Sequence, residues 1–149
     1  AYVYALGAAR LRKGELREVE RLSRRYIELR PTDGAGFYLL GASLYLLNSY
    51  VEARTALERS LRLRPDADAE YLLGLTLYEE GNRAAAIERL LRVVRLRPEH
   101  AGAQAALGAA YRDLGITLAL PQHWSALSNL TLKTFARAIS LARLWQIRR

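Results

Sequence analysis

The side chains best suited to recognition in this chain are tyrosines placed at regular intervals. Tyr4, Tyr38 and Tyr71 follow one another at steps of 34 and 33 residues, and Tyr45 and Tyr78 are again 33 apart. A phenol joins a flat apolar face to a hydrogen-bonding rim, and tyrosine is enriched among the residues that dominate binding energy. The chemistry open to such a set is noncovalent: closing over an apolar segment and bonding to its polar edges. The same rings suit packing between neighbouring elements, and both uses stay open at the level of sequence. Covalent chemistry has far less to work with. The chain has no cysteine, which excludes disulfides, thiolate catalysis and Cys-based zinc sites together. Its two histidines, His100 and His123, stand close to Pro98 and Pro121 and read as helix-end or surface residues. No phosphate-binding loop, HExxH or paired-carboxylate arrangement occurs. The expectation is a non-enzyme with no cofactor and no metal.

The elements that carry these tyrosines repeat. Leu40-Gly41, Leu44, Ala53-x3-Leu57 and Pro65 form a skeleton that recurs as Leu73-Gly74, Leu77, Ala86-x3-Leu90 and Pro98. It is preceded by Leu6-Gly7 and Pro31 and followed by Leu107-Gly108 and Tyr111. Phe37, Leu40, Gly41 and Leu44 lie at i, i+3, i+4 and i+7, one face of a helix, and the glycine lets a second helix come close. Ala53, Ala56, Leu57 and Leu61 give that second helix its apolar face, with arginine and glutamate filling the solvated positions. Each pair turns at Gly14, Asn48, Gly81 or Gly115, residues that accept left-handed backbone. Each repeat ends at Arg-Pro, where proline disfavours further helix, and Thr32, Asp33, Asp66 and Glu99 are placed to cap or charge the next helix. The pattern predicts helices near 1–13, 16–30, 35–47, 50–63, 68–80, 83–96 and 101–114.

This repeat resembles the tetratricopeptide (TPR) family, whose helix-turn-helix unit of about 34 residues carries W-x2-L-G-x2-Y, A-x3-F and a closing proline. The resemblance implies an all-α superhelical solenoid of about three and a half repeats. Its units would be 1–33, 34–66, 67–100 and, as the first helix of a degenerate fourth, 101–115, with a C-terminal amphipathic helix over 116–149. Departures from the pattern are Val3, Phe37, Glu70 and Gln104 at the leading tryptophan position, and Val19 and Ser23 where the family has Ala and Phe. The first helix of each pair would line a concave side, the usual place for a peptide in this family. There the exposed stripe would present Tyr4, Tyr38, Ala42, Tyr45, Tyr71, Leu75, Tyr78, Glu79 and Arg112 as a peptide-binding groove. Family members that clamp a chaperone's terminal carboxylates use Lys and Asn, but these positions hold Tyr4, Tyr38, Tyr71 and Ala8, Ala42, Leu75. An amphipathic helix or an extended apolar segment is the expected ligand, and the expected role is an adaptor or assembly scaffold.

Charge separates the repeats from the tail. The chain carries a net +8, of which residues 1–113 hold +3 and residues 114–149, without one acidic side chain, hold +5. In the repeats arginines interleave with glutamates, so a solvated convex face accounts for them better than nucleic acid does. In the tail Trp124, Phe135 and Trp145 share a broad apolar arc, with Lys133, Arg137 and Arg143 on the opposite strip. That cationic amphipathic segment could cap the solenoid, and the expectation is capping by its first half. From about Phe135 it could instead make a contact: with a neighbouring copy, giving a homo-oligomer, or, less favoured, with a membrane surface. No apolar run approaches the roughly 20 residues that span a bilayer, and Ala1–Arg10 lacks a signal-peptide pattern. The chain has no methionine, not even at position 1, as expected of a trimmed or processed form. A soluble, cytoplasmic setting is the expectation.

Overall fold

Among the described residues four take up left-handed backbone: Gly14 (φ 76°), Asn48 (φ 60°), Gly81 (φ 83°) and Gly115 (φ 68°). They are the four expected turns of the helix pairs, and they divide a computed structural model that describes residue 7 and residues 9–115. Helix α1 is described at residue 7 and over 9–12. It is followed by α2 (Leu16–Leu29), α3 (Gly34–Leu46), α4 (Tyr50–Leu63), α5 (Ala67–Glu79), α6 (Arg83–Leu96) and α7 (Ala101–Asp113). Each bound from α2 onward lies within one residue of the range the periodicity predicts, and no strand occurs among the described residues. The repeats belong to one compact unit, Ala1–Ile116. The expected C-terminal helix, with Trp124, Phe135, Arg137 and Trp145, lies outside the described residues, as do Tyr4 and Ala8.

The helix starts are capped largely where the Arg-Pro boundaries place polar residues. Asp33 and Asp66 accept from the backbone N–H groups of Ala35 and Asp68, satisfying donors that an open helix end leaves bare. Tyr26 adds a hydroxyl donated to Asp33, so the cap is tied to the preceding helix. At the third boundary the cap is His100, not Glu99: the Ala103 N–H donates to His100 Nδ1 at 3.0 Å. An imidazole nitrogen at the N-cap position reaches the first turn, whereas Glu99 is one residue too early and stays exposed.

Packing follows the Leu-Gly pairs. A Cβ on Gly41 would fall 2.6 Å from Leu57 Cγ, and one on Gly74 would fall 2.9 Å from Leu90 Cγ. The two helices of a pair therefore close to a distance that only glycine allows. Leu57, Leu73, Leu77 and Ala86 form one core cluster that joins repeat two to repeat three. In repeat one the position of Leu57 and Leu90 is held by Ser23, buried at 1% exposure with a hydroxyl that finds no partner. Burying a hydroxyl unbonded costs about 1–3 kcal/mol, a cost that the leucines at this position in repeats two and three do not carry.

Charged residues do more than face water. The arginines of α2 do pair along their own helix at i+3 and i+4, as Arg21 with Glu18 and Arg24 with Glu20. Elsewhere they cross between helices, contrary to the expectation of a solvated face: Arg54 reaches Glu80 at 3.0 Å and Arg89 reaches Glu70 at 3.2 Å. The two acids keep only 15% and 14% side-chain exposure. Arg59 and Arg92 are one repeat apart. The first sits over the Phe37 ring at 6.0 Å from its centroid and the second meets Glu70, so the substituted tryptophan position is paired in both repeats.

Candidate binding groove

Helix α3 packs beside α5, and α5 beside α7, in addition to each helix's contact with its own partner; no comparable contact links α2 to α4 or α4 to α6. First helices thus converge on one side of the stack, and their outward stripe is the candidate groove. Tyr38, Tyr45, Tyr71, Leu75 and Tyr78 are half-buried on it, while Glu79 and Arg112 are exposed. Ala42 is the exception to the expected exposure, at 5%. It stands about one turn from both Tyr38 and Tyr45 on the same helix face, and a single methyl there can contribute a floor and not a wall.

The rings differ in what already holds them. Tyr38 and Tyr78 pack against the core cluster of Leu57 and Leu73, and Tyr45 packs against that of Leu40 and Ala53. Tyr71 meets the His100 ring at a tilt of 50°, centroids 4.6 Å apart, and its hydroxyl lies 2.7 Å from where a Cβ on Gly102 would be. Tyr78 donates its hydroxyl to Asp113 and lies under the Arg83 guanidinium, 4.4 Å from ring centroid to Cζ, with Arg83 Nε 3.3 Å from the same carboxylate. Tyr45 faces another tyrosine, Tyr50, at 5.8 Å and 56°. Tyr50 was not among the residues expected from sequence; the signal that could have singled it out is that Arg83 occupies its place one repeat on. His100, expected as a helix-end or surface residue, caps α7 and meets the Tyr71 ring as well.

Near the N-terminal ends of α3 and α5 a cavity of about 370 Å³ is lined by Tyr26, Arg30, Asp33, Tyr38, Arg64 and Asp66 among others. Its acids already have partners, Tyr26 for Asp33 and Arg64 for Asp66 at 3.3 Å. Among the described residues no group of three or more metal-ligating side chains comes together, and no helix is long and apolar enough to cross a membrane.

Comparison with known proteins places this arrangement. The structure resembles that of MamA from Desulfovibrio magneticus RS-1, with 28% identity, a TM-score of 0.71, and coverage of 76% of this chain and 65% of that one. It also resembles a Thermobaculum terrenum O-GlcNAc transferase, with 27% identity and a TM-score of 0.71, over 74% of this chain and 21% of the transferase. This chain therefore spans less than two thirds of either protein's solved length. The first TPR domain of Spaghetti (RPAP3), solved with the HSP90 peptide SRMEEVD, shares the fold at 15% identity, with a TM-score of 0.73 over 76% of this chain and 91% of that one. Residues 68–100 match the family model of the tetratricopeptide repeat. Over those residues the chain carries a tetratricopeptide repeat, and its described helices share the fold of tetratricopeptide-repeat structures. Among curated protein sequences none matches it significantly.

The phenols of this helical stack also set its behaviour in alkali. Burial pushes Tyr111, 3% exposed at the end of α7, up to about 12 from the ordinary 10.0. A phenol whose folded value is raised favours folding while it is neutral. Its contribution is complete below the unfolded value and is lost as pH rises through the folded one. The melting temperature is therefore expected to fall between about pH 10 and about pH 12. In Tyr111→Phe that part of the decline should be shallower, as measured by thermal melts across the range. An unchanged slope would show that Tyr111 ionises no later than a free phenol.

Proposed function

We propose that this chain is a non-enzymatic protein–protein interaction module that holds a peptide or an amphipathic helix in the groove of α3, α5 and α7, serving as an adaptor or assembly scaffold. The observation that carries the reading is the set Tyr38, Tyr45, Tyr71 and Tyr78. The rings stand half-buried on successive rungs of the one surface where first helices adjoin. Half-buried tyrosines give an apolar wall fixed by packing, with hydroxyls left at the rim, and such preformed aromatic surface loses little entropy on binding. The peptide-bound relative supports the reading at the level of fold. The groove also carries the uncharged residues Tyr38, Tyr71, Ala42 and Leu75 at the positions read above as a carboxylate clamp in other family members, which favours an apolar or amphipathic ligand.

Truncating an interface anchor costs about 2 kcal/mol or more, roughly thirtyfold in affinity. Partners captured from the native host by the wild-type chain are expected to be lost by the variant Tyr38→Ala/Tyr71→Ala, provided circular dichroism shows the variant folded. Retention of every partner by the folded variant would remove the groove as the site.

A further inference from the structure

Two corners of the groove are built alike, and only one of them is filled. The repeat step carries Tyr45 onto Tyr78, Tyr50 onto Arg83 and Glu79 onto Asp113. In the second corner the Arg83 guanidinium covers the Tyr78 ring at 4.4 Å and pairs with Asp113 at 3.3 Å, while Tyr78 donates its hydroxyl to the same carboxylate. Ring, cation and carboxylate satisfy one another. In the first corner the cation is missing, because the chain has Tyr50 where it later has Arg83.

The remaining members are still in place. Tyr45 is half-buried, and Tyr50 is steadied by the hydroxyl it donates to Asn48 at 2.8 Å. The Glu79 carboxylate is exposed, and among the described residues it has neither ion pair nor hydrogen bond. It is nonetheless close enough to act on Tyr45, whose phenol is held above its ordinary value by burial first and by Glu79 next. The other acids of the inner helices are engaged: Asp68 by Arg97 at 2.7 Å, Glu70 by Arg89 and Arg92, and Asp113 by Arg83. Helix α3 contributes no charge at all. The Tyr45 and Tyr50 rings lie 5.8 Å apart, and a carboxylate near such a ring pair is an arrangement that draws a cation, through ring quadrupole and ion pair together.

We propose that Tyr45, Tyr50 and Glu79 form a receiving site for a lysine or arginine side chain of the segment bound in the groove, supplying from the ligand the cation that Arg83 supplies one repeat further on. The site rests on the groove reading and narrows it: the ligand is a basic amphipathic helix whose apolar face meets Tyr38 and Tyr71 while one cation enters this corner.

The test uses the full chain and three synthetic helical peptides of about 18 residues, each with leucines on one face and with lysine, glutamine or glutamate on the other. Titration calorimetry is expected to rank lysine above glutamine above glutamate, against the net +8 of the chain, which would favour the reverse. Glu79→Gln, an exposed change, should weaken the lysine peptide about two- to fivefold and leave the glutamine peptide unaffected. Tyr50→Arg should weaken the lysine peptide similarly by filling the corner from within. Equal binding of the lysine and glutamine peptides, or a lysine peptide indifferent to Glu79→Gln, overturns the cation site and leaves the groove standing. Failure of all three peptides to bind overturns the groove and the cation site together.

Discussion

Replacing Leu57 by alanine is expected to cost about 2–5 kcal/mol of stability, the range for leucines removed from a tight core. Leu57 is completely buried and is shared: it seats under Gly41 within its own repeat and joins Leu73, Leu77 and Ala86 of the next. The void would open between the two helices of a pair and at the joint between repeats at once. In a solenoid the joint matters as much as the pair, because repeats are stable largely through their neighbours. Urea denaturation followed by circular dichroism should therefore show a lower midpoint and a broader transition as repeats two and three uncouple. Ser23→Ala supplies the comparison at the matching position of repeat one. There the substitution removes a buried hydroxyl that has no partner, so little or no destabilisation is expected. A Leu57→Ala shift no larger than that of Ser23→Ala would mean that the joint is not held by this side chain.

The helices and turns of this chain are legible in its sequence because they rest on short-range chemistry. Left-handed backbone at Asn48 and Gly81 needs those residue types, and Leu-Gly at a fixed step marks where one helix seats on another. What was not legible depends on which residue stands across a gap. Periodicity assigns Arg54 and Glu80 to polar faces without saying that the two meet 26 positions apart. Likewise nothing local to Tyr78 announces that its hydroxyl bonds to Asp113, 35 residues on. Ala42 and Tyr45 fall on the same stripe by angle, and their side-chain length decides that one is covered and the other is not. The candidate positions could thus be named from the repeat alone, while the division of their tyrosines into those already engaged and the corner of Tyr45 and Tyr50 required tertiary structure.

Valine at position 41 is expected to destabilise the chain by about 3 kcal/mol, the upper part of the range for methyl groups forced into a packed core. Glycine inside a helix is by itself a cost of about 1 kcal/mol relative to alanine, so a side chain here would favour an isolated α3. The packed structure reverses that sign. A Cβ at 41 would stand 2.6 and 2.8 Å from two carbons of Leu57 and 3.3 Å from the Ala53 carbonyl oxygen. Leu57 cannot swing clear, being enclosed on its far side by the next repeat. The carbonyl belongs to the backbone of α4, so relief requires the helices to part. Gly74 is a milder case, with Leu90 at 2.9 Å and no backbone atom among its nearest contacts, and valine there should cost less. The same geometry predicts coupling. Gly41→Ala and Leu57→Ala each damage the contact from opposite sides, one by crowding and one by emptying. Together they place a methyl where the leucine was, so the double variant should be more stable than the sum of the single losses allows, by about 1 kcal/mol or more. A double-mutant cycle in urea measures this directly, and strict additivity would mean that Gly41 and Leu57 do not set the distance between α3 and α4.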